Sequence, residues 1–107
     1  MAWTFLLAAG LLEIIWALTM KLSQGFTRGG FTAVTVLTML ASVALLSIAM
    51  KTIPLGTAYT VWTGIGAVGA VVAGAVVLGE PLTMMRVVGA ALIVAGLSFL
   101  KLSTSVL

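Results

Sequence analysis

Four runs of about twenty residues, at about 3–20, 31–50, 57–78 and 84–101, are apolar nearly throughout, and short polar breaks separate them. A helix needs about 20 residues to cross a hydrocarbon core ~30 Å thick, with a range of about 17–25, and all four runs have that length. A strand of a membrane barrel would instead alternate polar and apolar residues over about 10 positions. None of the runs does so. The breaks carry turn chemistry: Ser23, Gln24, Gly25 and Gly29 in the first, Lys51, Pro54 and Gly56 in the second, Gly79, Glu80 and Pro81 in the third. Breaks this short suit successive helices packed antiparallel. The expectation is an all-α membrane protein, a single four-helix transmembrane domain over 1–107, with no soluble domain at either end.

Charge excludes the water-soluble alternative. The chain has 107 residues, 63% of them hydrophobic, with five basic and two acidic side chains, too few to cover a soluble surface. Lys21, Arg28, Lys51, Arg86 and Lys101 are scattered among the breaks and the last run rather than gathered in a patch. Their net charge of +3 therefore points to headgroup anchoring and not to nucleic acid. With no cysteine and no histidine, neither a disulfide nor the usual metal ligands are available, so no metal, no cofactor and no enzymatic role is expected. The first run is read as a retained helix and not a cleaved signal, because it lacks a positive leader and Glu13 interrupts it.

Topology follows from the same charges. Four spans place the N-terminus, the Lys51 break and the C-terminal tail on one side, with Lys51 and Lys101, and leave Lys21, Arg28 and Arg86 on the other. Two against three gives almost no orienting bias. Insertion in both orientations is expected, and with it an antiparallel, dual-topology homodimer. Small residues at contact spacing allow close helix approach in lipid. Gly66, Ala70 and Gly74 suit packing within or between chains equally, whereas Gly89, Ala95 and Gly96 are assigned to the dimer contact.

Glu13 is the residue that carries chemistry. It lies near the middle of the first span, where a charged side chain costs at least ~2.5–3.5 kcal/mol. No basic residue occupies the interior of another span, so the carboxyl must be protonated or paired with a bound cation. A group with those two states is suited to exchange. Its helical face includes Leu6, Ala9, Gly10, Trp16, Ala17 and Met20, with the small residues leaving space and Trp16 offering an indole face. The third span adds Tyr59, Trp62 and Thr63, and a carboxylate with an aromatic box suits a desolvated cation. In the second span, Thr35 and Thr38 are expected to bond back to their own helix, while Ser42 is placed to reach Glu13. Gly64, Gly66 and Gly69 match G-x-G-x-x-G literally, but inside a span they mark close packing or a kink and not a dinucleotide site.

These residues resemble a known family. Gly25-Phe26-Thr27-Arg28 in the first break, and Pro54-Leu55-Gly56-Thr57-Ala58-Tyr59 entering the third span, are similar to the small multidrug resistance transporters. Gly10-Leu11-Leu12-Glu13-Ile14-Ile15-Trp16-Ala17 and Ala58-Tyr59-Thr60-Val61-Trp62-Thr63-Gly64-Ile65-Gly66-Ala67 resemble the guanidinium-exporter subtype, as does Leu100-Lys101-Leu102-Ser103. The resemblance implies an antiparallel homodimer in the inner membrane with one site shared between two Glu13 side chains. It implies that Glu13 binds protons and substrate in exchange, that Gly10, Trp16, Tyr59 and Trp62 line the pocket, and that Ser42 bonds to Glu13. Guanidinium fits chemically, since its forked donors match a carboxylate and its plane can stack on indole. The expected function is proton-coupled guanidinium export by alternating access. The alternatives are export of quaternary ammonium or lipophilic cations, a non-transporting accessory subunit, and an ion channel.

Overall fold

The computed structural model describes residues 1–104, which form four helices: α1 (Ala2–Leu22), α2 (Gly29–Ala49), α3 (Leu55–Leu78) and α4 (Met84–Thr104). All four are long and apolar enough to cross a membrane. The 21 residues of α1 extend about 31 Å, the thickness of the hydrocarbon core. The all-α, four-span expectation holds. In lipid each segment must satisfy its own backbone donors and acceptors, which these apolar runs achieve only as helices.

The connections are built by local hydrogen bonding. Ser23 is fully buried, and its hydroxyl donates to the Met20 carbonyl (2.7 Å) while accepting the Phe26 N–H (3.0 Å). Gln24, Gly25 and Phe26 pass through positive φ, turning the chain sharply before α2. Pro54 precedes the first turn of α3. At the other end of α3, Gly79 adopts the left-handed conformation (φ 69°), and the Glu80 N–H returns to the Gly74 carbonyl at 3.1 Å. A left-handed glycine is a common way to end a helix because it satisfies its last carbonyls.

The helices form a slab and not a closed bundle, with overall extents of 45 × 34 × 16 Å. α1 packs along both α2 and α3, α2 barely touches α3, and α4 leans on α3. The buried apolar core comprises Leu6, Ala9, Leu46, Ala49, Ile53, Ala58 and Val61. These come from the first half of α1, the end of α2, the Lys51 loop (Ile53) and the start of α3, so the core lies at the end of the slab that carries that loop. Beyond Gly10, no residue of α1 is buried. At the opposite end, a hydroxyl pair between Thr19 and Thr35 (2.7 Å) joins α1 to α2. Thr35 and Thr38 also donate to the carbonyls one turn back, at 2.8 and 2.7 Å, as expected of hydroxyls in lipid. The Lys101 ammonium sits 5.2 Å from the Trp3 ring centroid and ties the end of α4 to the start of α1. Among the described residues, and apart from its own helix backbone, nothing lies within 4 Å of a Cβ added at Gly89 or Gly96.

Candidate functional site

Glu13 lies about 16 Å along α1, close to its midpoint. Its carboxyl group rests directly on Gly66 of α3, where a Cβ would collide with it. The glycines that imitate a nucleotide motif are thus packing seats. Gly64 receives Leu97 of α4 (2.8 Å to an added Cβ), Gly66 receives Glu13, and Gly69 receives Ile14. Their spacing brings both α1 and α4 close to α3, and on the α1 side this aims the carboxylate at the α1–α3 seam.

Ser42, Ala9 and Trp62 form a relay beside it. The Ser42 hydroxyl donates to the Ala9 carbonyl (2.6 Å) and accepts the indole N–H of Trp62 (2.9 Å). Ala9 and Ser42 are fully buried. This corrects the expected Ser42–Glu13 bond: a hydroxyl has one proton to give, and here the Ala9 carbonyl takes it. The relay pins three helices at one level, four residues before Glu13. Trp62 in turn meets Tyr59, with ring centroids 5.6 Å apart and planes inclined at 48°.

The expected pocket residues divide into two groups. Glu13 and Trp16 share α1, and Glu13 Oε1 and the Trp16 indole N–H are both buried without a hydrogen-bond partner among the described residues. Tyr59 is half exposed and lines a groove of about 410 Å³ between α3 and α4, with Thr60, Thr63, Ile93, Gly96 and Leu97. Glu13 does not line that groove. Gly10 is buried, but the space beside it is filled by Ile65, whose Cγ2 would stand 2.7 Å from an added Cβ. It is therefore a point of close approach between α1 and α3 and not open pocket wall. Among the described residues no cluster of metal-ligating side chains occurs.

Two contributors escaped sequence reasoning. Gly66 was legible as a small residue but not as the seat of the acid, because partner identity across helices is not encoded in spacing along one of them. The Ala9 carbonyl gave no signal at all, since backbone acceptors on a helix are ordinarily used internally.

A family model described as Small Multidrug Resistance protein matches residues 1–93. A guanidinium exporter of Citrobacter freundii is 53% identical over 104 residues, covering 97% of this chain and 99% of that protein. A guanidinium exporter of Escherichia coli (strain K12) is 54% identical over the same coverage. Those relatives are exporters and not enzymes. With four apolar spans and such relatives, this is a multi-pass protein of the inner membrane. On a family match that takes in most of the chain and an identity above half across nearly all of it, the chain belongs to the Small Multidrug Resistance family.

Proposed function

We propose that the protein exports guanidinium in exchange for protons, with Glu13 binding the two in alternation. The observation that carries this reading is the Glu13 carboxyl, the single acid within the spans, held at mid-helix with Oε1 buried and without a hydrogen-bond partner among the described residues. Water is scarce at that depth, so the group is stable only as the neutral acid or beside a cation. Guanidinium offers forked donors to the carboxylate, a planar face to Trp16, and compact size for a seam lined by small residues. The names of the two relatives support the same substrate.

The slab supports an assembly of two chains. A protomer whose α4 packs along α3, reaches α1 through Lys101 and Trp3, and leaves its Tyr59 groove open sideways encloses no pathway alone. A second copy inserted in the opposite sense completes it, with Gly89, Ala95 and Gly96 at the contact, and brings a second Glu13 to the shared pocket. Two facing carboxyls then titrate as a pair. Alternating access exposes that pair to one side of the membrane at a time, driven by the proton gradient.

The test is proton release on adding guanidinium to purified protein in weak buffer. Wild type releases protons and Glu13→Gln releases none. Because protons compete for the same carboxyl, guanidinium affinity falls with decreasing pH, by up to about tenfold per unit for one proton displaced. Unaltered affinity across pH, or release by the Gln variant, would overturn the exchange reading. Release with tetrapropylammonium but not guanidinium would move the assignment to quaternary ammonium export.

A further inference from the structure

The chain contains two acidic residues, and the mechanism above uses one. The other, Glu80, is placed in the same way. Glu13 rests on Gly66, and the Glu80 carboxylate rests on Gly74, where an added Cβ would meet it. Both glycines belong to one ridge of α3 with Ala70 between them, and the opposing ridge of α1 runs Glu13, Ala17, Lys21. The helices are parallel here, since Gly10, Glu13 and Ile14 meet Ile65, Gly66 and Gly69 in order. Glu80 therefore stands at the outer end of the seam whose inner end holds Glu13, about 12 Å away by helix rise from Gly66 to Gly74.

The seam is open on the Glu80 side, beyond the point where Ile14 packs on Gly69. A cleft of about 140 Å³ is lined by Ala17, Lys21, Ala70, Ala73, Gly74 and Glu80, among others. It lies at the end of the slab remote from the core, where α1 has no buried residue. Its small side chains leave room for a small cation, and Glu80 supplies its sole negative charge.

Stability does not explain this placement. A carboxylate at a helix C-terminus faces the negative end of the helix dipole, the wrong end for an acid. The turn at Gly79 nevertheless folds Glu80 back over α3 by both its backbone N–H and its side chain. Lys21 lines the same cleft but is exposed, and no ion pair joins it to Glu80 among the described residues. Glu80 is thus the one attractive charge that the cleft offers a cation, with the exposed Lys21 an opposing charge at its rim.

We propose that Glu80 is an outer cation-positioning residue: it collects guanidinium at the mouth of the α1–α3 seam and passes it toward Glu13. The proposal rests on the guanidinium reading above. A carboxylate at a cleft mouth raises the local concentration of cations, and that effect weakens with ionic strength. In an antiparallel pair each face of the membrane has one such mouth.

The experiment is initial-rate guanidinium transport in liposomes at low and high salt. Glu80→Gln raises the apparent KM about three- to tenfold at low salt, converges with wild type at high salt, and leaves the maximal rate unchanged. Glu80→Asp stays near wild type, and Lys21→Gln shifts KM in the opposite direction by removing the repelling charge. An unchanged KM in Glu80→Gln, or a lower maximal rate with KM and salt dependence intact, would assign Glu80 to shaping the loop and overturn the proposal. Thermal unfolding of each variant separates misfolding from these outcomes. A wild-type protein that does not move guanidinium refutes the substrate reading instead. The same comparison is then run with tetrapropylammonium, because the argument for Glu80 depends on charge alone.

Discussion

A methyl group added at Gly66 would occupy the space of the Glu13 carboxyl, so the smallest available substitution acts on the acid without touching it. Overpacking of this kind typically costs about 1–3 kcal/mol, and here the flexible end of Glu13 is the part that can give way. Gly66→Ala is expected to weaken guanidinium binding at least about tenfold while the protein still folds, as measured by calorimetry beside thermal unfolding. Gly56→Ala is the control, because nothing lies within reach of its added Cβ. At this scale the sequence was legible in part. Glu13 was evident because a lone acid in a span has few physical uses. Ser42 was evident as a mid-membrane hydroxyl, but its partner was not, since only the packed structure shows that the Ala9 carbonyl is nearer than the acid.

Between elements, the same hydroxyl joins α1, α2 and α3 by side-chain hydrogen bonds at a single level. Removing it strands the Trp62 indole N–H, which lipid cannot satisfy, at about 1–3 kcal/mol, while the Ala9 carbonyl keeps its helical donor. Ser42→Ala is therefore expected to lower the unfolding temperature in detergent and to release the Trp62 ring, read as loss of rigidity in its fluorescence anisotropy. Ser42→Thr, which keeps the hydroxyl, separates the lost bond from the lost volume. The four helices were readable from run length, because a bilayer sets a minimum span. The left-handed turn that folds Glu80 onto Gly74 was not, because Gly79 announces a helix end without saying where the next side chain will lie.

For the whole molecule, a slab 16 Å thick leaves most apolar side chains facing outward, which in lipid needs no correction, but it encloses no central pathway. On the proposed pairing, near-balanced charges on the two sides, Lys51 and Lys101 against Lys21, Arg28 and Arg86, would let an oppositely inserted copy supply the second half. Tags at the C-terminus are expected to be accessible from both faces of the membrane in comparable amounts, and adding two lysines to the Lys51 loop should collapse this to one orientation and reduce transport. A single orientation in the unmodified protein would refute the dual arrangement. Charge balance is a property of the sequence alone, so this inference was available before any coordinates. The sideways opening at Tyr59 was not, because a half-exposed aromatic near a helix start reads equally as an interfacial anchor.

The order of contacts has a consequence for synthesis. Chains are made and inserted from the N-terminus. In this slab α2 finds its main partner in α1, α3 finds its own also in α1, and α4 docks on α3 and, through Lys101, on Trp3. Each of α2, α3 and α4 thus arrives after a surface it packs against. α4 emerges last of the four helices and keeps Gly89 and Gly96 uncovered, so on the proposed pairing the face that meets a second copy is the last of the four to form.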